Sequence, residues 1–175
     1  MTTVLPAFDD IMVALRAFLL TIVPNTVEVV QGLGNRVPTP ASEFVVMTPL
    51  FTGRLATNES VYTDPFPTPG GTRAIKQSTR LDVQLDFYGV ASAEWAAMTE
   101  TLLRDPAGCD ALAPSCQPLY ADEARQIPYV SGEDQYMARW SLTASFQWNP
   151  TTTLSQDFAA TLDVTLINVD EAYPP

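Results

Sequence analysis

The chain has 175 residues, of which 46% are hydrophobic and 17% charged, and a formal net charge of −11. That length and apolar content suit one domain, residues 1–175, able to bury roughly 70% of the surface its unfolded chain would expose, and they exclude disorder from end to end. The charge excludes a protein that binds nucleic acid by neutralising phosphates with Lys and Arg.

The first helix is predicted over residues 6–23. Phe8, Ile11, Met12, Leu15, Phe18, Leu19 and Ile22 form one apolar stripe, with Pro6 near the first turn and Pro24 as the stop. Asp9 and Asp10 suit a helix N-terminal turn electrostatically. Arg16 interrupts this helix, the nearest approach to a membrane span, which needs about 20 predominantly apolar residues. Thr2, Thr3, Asp9 and Asp10 are also wrong for a signal peptide, so the expectation is a protein that is intracellular when made. A Phe/Leu/Ile stripe with almost no basic residue beside it reads as core and not as a lipid-binding face.

Val27, Val29 and Val30 predict a short strand, followed by a turn at Gly32, Gly34 and Asn35 and an extended loop at Pro38 and Pro40. Residues 44–55 predict a long strand in which Pro49 requires an edge or a bulge. Residues 56–73 are the least core-like stretch and contain Asp64-Pro65-Phe66-Pro67-Thr68-Pro69-Gly70-Gly71. They read as a long projecting loop or as the tip of an extended hairpin whose second arm runs from Thr72 into Phe87. Loops of such length are functional or disordered.

From Arg80 to Leu103 the pattern is strand, glycine turn, helix. Leu81, Val83, Leu85 and Phe87 alternate with Arg80, Asp82, Gln84, Asp86 and Tyr88, which predicts one face in the core and one face wet. Gly89 ends the strand, Ser92 can cap, and Trp95, Met98, Leu102 and Leu103 recur at helical spacing. Asp105 and Pro106 predict the start of a short extra helical turn with Cys109 and Leu112 inward. Residues 119–129 read as irregular or weakly extended, and Ser131-Gly132-Glu133-Asp134 as an exposed turn. Residues 137–148 predict a second strong strand, with Trp140, Leu142, Ala144, Phe146 and Trp148 on one face, ended by Asn149-Pro150. A Thr-rich connection follows, then a strand over residues 160–169 with Leu162, Val164 and Leu166 inward, and a frayed tail over 170–175. Helices segregated from hairpin-linked strands predict an α+β fold: a mainly antiparallel mixed sheet with a long hairpin, packed against two main helices.

The chain has no histidine. That removes the commonest general base, the Ser-His and Cys-His nucleophile pairs and most zinc and iron sites. Cys109 and Cys116 have six residues between them, a spacing that is not CxxC, and they read as free thiols or a local disulfide. No Gly-rich phosphate loop or EF-hand loop is present. Asp82 and Asp86 could in principle form an acid pair, but outward acids between inward hydrophobics are ordinarily solvated. Arg73, Lys76 and Arg80 form the one local basic cluster, suited to an acidic neighbour subunit or to water. Residues 1–90 carry 8 acids and 6 bases, whereas residues 91–175 carry 12 acids and 3 bases. An acidic balance confers solubility, and it also suits a protein that DNA must pass without sticking.

Three segments together resemble the neck or tail-terminator (tail-completion) proteins of tailed bacteriophages. They are Ser78-Thr79-Arg80-Leu81-Asp82-Val83-Gln84-Leu85-Asp86-Phe87-Tyr88-Gly89, then Glu94-Trp95 through Leu102-Leu103-Arg104-Asp105, and Gln135-Tyr136-Met137-Ala138-Arg139-Trp140 through Phe146 and on to Val164-Thr165. The resemblance implies a virion structural protein and not an enzyme, with no cofactor, no metal and no catalytic residue. It implies a hexameric ring of identical subunits at the neck, assembled in the host cytoplasm. Such a ring caps the tail tube, ends its polymerisation and offers a surface to the head connector or adaptor and, in contractile tails, to the sheath. DNA would pass through without specific binding, and no membrane is involved. Tyr62, Phe66, Arg73, Lys76, Arg80, Asp82 and Asp86 are then the candidate subunit or partner contacts. The alternatives are a head-completion or adaptor protein, a tail-tube subunit, and more remotely an acid-pair hydrolase or nuclease using Asp82 and Asp86.

Overall fold

A computed structural model describes residues 3–34, 40, 42–67, 70–130 and 136–159. In chain order it contains β1 (Thr3–Leu5), α1 (Phe8–Leu20), β2 (Glu28–Gln31), β3 (Phe44–Arg54), β4 (Glu59–Thr63), β5 (Gly71–Lys76) and β6 (Thr79–Tyr88). There follow α2 (Ser92–Leu103), α3 (Pro106–Leu112), β7 (Gln117–Ala121), β8 (Arg125–Gln126), β9 (Tyr129–Val130), β10 (Tyr136–Met137), β11 (Arg139–Trp148) and β12 (Thr151–Gln156).

The backbone of the fold is one long antiparallel ribbon. Strands β6 and β11 pair from Tyr88↔Arg139 to Thr79↔Trp148. The same register resumes past a short break, from Lys76↔Thr151 to Gly71↔Gln156 between β5 and β12. Gln77 N–H donates to the Pro150 carbonyl at 3.0 Å inside the break and keeps the two arms aligned. A proline at 150 has no N–H to give, and here the ribbon passes from one sheet into another. The main sheet has the order β2-β3-β6-β11-β7, with β8 also on β11, and the second has the order β1-β12-β5-β4. Among the described strands every pairing is antiparallel except β2 with β3, so the fold is α+β with a mixed, mainly antiparallel sheet.

The core lies between the main sheet and the helices. Leu81, Val83, Leu85 and Phe87 of β6 and Leu142, Ala144 and Phe146 of β11 are buried against Ile11, Leu15 and Leu19 of α1 and Trp95, Ala96 and Leu103 of α2. Helix α1 begins as its sequence requires: Asp10 accepts from the Ala7 N–H at 2.8 Å, which satisfies a free donor of the first turn. Asp105 caps α3 by accepting from Ala107 N–H at 2.9 Å, and Pro106 sits at the first helical position. Trp148, at the end of β11, donates its indole N–H to the Pro6 carbonyl at 3.0 Å and meets the Phe8 ring edge-on at 6.1 Å, pinning the β1–α1 junction to the ribbon.

Some local expectations change, whereas those for Gly89 and Pro49 hold. Ser92 is the first residue of α2 and no cap: Ala91 holds the cap position, and the Ser92 hydroxyl donates to the Gly89 carbonyl at 2.7 Å. Gly89 adopts φ +132°, where a side chain would also collide with Glu43. Pro49 marks a bulge at the point where β3 shifts register between Pro49 and Phe51, beyond the last residue paired with β2. Residues 117–121 form a strand, which agrees with the extended alternative read for 119–129, because β11 offers them an edge. The Thr-rich stretch after Pro150 is strand β12, since threonine fits a half-exposed pleat as well as a loop. The predicted strand at 160–169, the tail at 170–175 and the turn at 131–134 lie outside the described residues.

Candidate functional site

The sequence-predicted contact residues fall into two groups, one on each sheet. Arg80, Asp82 and Asp86 lie on the face of the main sheet turned away from the helices. This face is not wet in the way the alternation suggested. Asp82 is 8% exposed and Asp86 4%. The Arg80 guanidinium grips Asp82 with two bonds of 2.6 and 2.7 Å, and the Ser145 hydroxyl, opposite in the register, donates at 2.7 Å. Asp86 accepts from Arg139 at 3.0 and 3.2 Å and from Gln84 at 2.8 Å. The physical reason is that β6 is a central strand. Its short acids are roofed by longer neighbours on β6 itself and on β11, and each carboxylate recovers in charged hydrogen bonds what it loses in hydration.

Burial opposes ionisation of Asp82, but the hydrogen bonds from Arg80 and Ser145 and the charge of Arg80 outweigh it, so its carboxyl is held below the usual range. The network continues to an aromatic cluster. The Arg139 guanidinium sits 5.6 Å over the Tyr88 ring, which stacks on Phe44 at 4.4 Å and meets Tyr129 edge-on at 5.1 Å. Burial raises the Tyr88 pKa, so this ring stays a neutral phenol at ordinary pH. Two acids each committed to an arginine are poor general acids or bases, and their bonds tie the face together.

The second group, Tyr62, Phe66, Arg73 and Lys76, is on the β4–β5 hairpin. Tyr62 is 53% exposed and Phe66 73%. Arg73 lies 5.4 Å over the Tyr62 ring and reaches the Ser60 hydroxyl at 3.2 Å, and Lys76 stands 4.0 Å from Glu59. Among the described side chains of the second sheet only Gly71 is buried. The structure therefore places these four together on an outlying sheet, separated from Arg80, Asp82 and Asp86 by the break at Gln77–Ser78.

No group of three or more potential metal ligands occurs among the described residues. A shallow groove between α1 and the end of α3 is lined by Leu5, Pro6, Val13, Ala14, Ala17 and Pro114, with Asp10 as its one titratable group. No described helix is long and apolar enough to cross a membrane. Cys109 and Cys116 are both free thiols, and burial pushes the Cys116 thiol up to about 12.

Sequence reasoning missed Arg139, Ser145 and Glu43. Arg139 and Ser145 were legible as outward residues of their strand, but their bonds depend on the register between strands 53 or more positions apart. Glu43 accepts from Val90 N–H at 2.7 Å and closes the turn at Gly89, and no local signal marks it.

A family model described as phage neck terminator protein matches residues 9–171. Among solved structures the chain is similar to the sheath/tube terminator of an extracellular contractile injection system, PVC, in its extended state, with TM-score 0.53 and 12% sequence identity. That similarity covers 95% of this chain and 64% of the other, so this chain spans less than two-thirds of that neighbour's length, and at such identity it concerns the fold alone. No curated protein matches.

Proposed function

Because the chain belongs to the phage neck terminator family, a family of structural tail proteins, we propose that it is the subunit of a ring that caps the tail tube, stops its polymerisation and presents a surface to the head connector. The observation that carries this reading beyond the family is the second sheet. It is built by the same ribbon as the core, yet its side chains stay largely uncovered, with Val4, Leu5, Val61, Tyr62 and Phe66 all exposed. Ordered apolar surface of this kind marks a site of association.

Charge supports the same reading. Helices α1, α2 and α3 carry Asp9, Asp10, Glu94, Glu100 and Asp110 against Arg16 alone, whereas residues 54–76 carry Arg54, Arg73 and Lys76 against Glu59 and Asp64. Different copies can therefore meet basic edge to acidic body, a head-to-tail contact that closes a ring when the rotation allows. Six copies is the number that the resemblance to tail terminators implies. A strongly acidic exterior suits a lumen through which DNA slides. In a contractile tail the sheath would be a further partner.

Tails assembled without this protein should be over-long or fail to join heads, and negative-stain images of the protein with tail tubes should show rings at one tube end. Normal tail lengths and full infectivity in its absence would overturn the reading. Filaments grown from the protein alone would instead indicate a tube subunit.

A further inference from the structure

Two exposed apolar features stand at opposite corners of the second sheet. The first is the groove between α1 and the end of α3, about 560 Å³ in volume. Ala14 and Ala17 leave it hollow because they carry so little side chain, and it is lined by Val13 and Leu5, 67% and 65% exposed. Both sides of the groove are fixed in place. Trp148 donates to the Pro6 carbonyl at 3.0 Å, and the N–H groups of Ala113 and Ser115, on either side of Pro114, donate back to the Cys109 and Leu112 carbonyls at 3.1 Å. Asp10 also lines the groove, and Asp9 shares its helical turn.

The second feature is the tip of the β4–β5 hairpin. Phe66 is 73% exposed, yet its backbone is tied, because its N–H donates to the Asp64 carboxylate at 3.1 Å. An aromatic side chain presented on an ordered turn loses little freedom when it docks. Tyr62, 53% exposed, carries the Arg73 guanidinium 5.4 Å over its ring. The hairpin thus offers apolar rings with a cation, and the groove an apolar hollow with an anion.

These two features cannot meet within one copy. The ladders place Leu5, Thr151, Lys76 and Glu59 in one row across the sheet, and Thr63, Thr72 and Ser155 in another. Three strand spacings separate β1 from β4, and four residues separate Glu59 from Thr63, so Leu5 and Thr63 stand about 20 Å apart on the diagonal. Phe66 comes three residues after Thr63, past the end of β4. We propose that the hairpin of one copy seats Phe66 in the α1–α3 groove of the next, with Tyr62 and Arg73 following against Asp10. The proposal rests on the ring reading above and names its subunit contact. Donor and acceptor lie at opposite corners, so the contact is head to tail and repeats around a ring.

The test is cysteine cross-linking in the full-length chain with Cys109→Ser as background. Phe66→Cys is combined in turn with Leu5→Cys, Val13→Cys and Ala17→Cys, and each protein is oxidised both in solution and in tails assembled from it. Docking holds the two thiols at high effective concentration, so at least one pair should give a ladder of covalent oligomers at least about fivefold stronger than either single-cysteine control. No ladder while rings are visible, as when the tube protein or residues 160–175 fill the groove, overturns the contact and leaves the ring reading standing. Closure within single chains only does the same. Monomers alone, both in solution and on tails, overturn both. As a second variant, Val13→Glu puts a good helix former at an exposed helical position, so it should keep the thermal transition of the parent and lose ring formation. Rings that form normally with glutamate at that position overturn the contact.

Discussion

Asp82 looks in the sequence like an outward acid on a polar face, yet it is a buried hydrogen-bonded anion. Asp82→Asn removes the charge that Arg80 pairs with and replaces one acceptor oxygen by an NH2 group facing a donor, so it should lower stability by about 1–3 kcal/mol, measured by denaturant unfolding. The pH dependence follows from the lowered pKa. As pH falls, the unfolded chain takes up the proton near the ordinary value of 3.8 while the folded state still resists. The stabilisation is complete above that value and disappears as pH drops through the folded-state pKa, so Asp82→Asn should flatten the acid limb of a stability profile. Cys116 offers a second check at this scale. A buried thiol held near 12 is almost entirely protonated at pH 8, so alkylation of Cys116 should track global unfolding, whereas half-buried Cys109 should react in the native state.

At the scale of elements, the ribbon divides the molecule into a packed part and an exposed part. Phe146 and Leu85 are wholly buried where the ribbon faces the helices, and truncating Phe146 to alanine should cost about 3–5 kcal/mol. On the other side of the break the same ribbon contributes little to the core. Tyr62→Ala with Phe66→Ala should therefore change stability by no more than about 0.5 kcal/mol while abolishing capping of tail tubes. Unfolding curves and tail-length distributions for that double variant would separate the two roles, and a large loss of stability would show that the hairpin belongs to the core. The strands themselves were legible to very different degrees. β6 and β11 alternate over ten residues with strong apolar content, and α1 carries an unbroken stripe. β7 and β12 have weak local patterns and form because β11 and β5 present them with open edges.

At the scale of the whole molecule, charge governs what the protein avoids. With a net charge of −11 and its arginines largely engaged in internal bonds, it should show no retention on DNA in mobility-shift assays at about 50 mM salt, where phosphate-binding proteins hold tightly. Retention there would argue against a lumen that DNA passes freely.

The amino-acid sequence alone determined the helix stripe, the two long strands, the glycine at 89, the lack of histidine chemistry and the family pattern. Each of these is a local or compositional property, carried by residues close together in the chain. Only the tertiary structure decided that the ribbon turns from one sheet into a second and that Asp82 and Asp86 are gripped by Arg80 and Arg139. Those outcomes depend on register and burial between segments far apart in sequence, where hydrogen-bond geometry and the loss of water select one pairing from many that the local pattern permits.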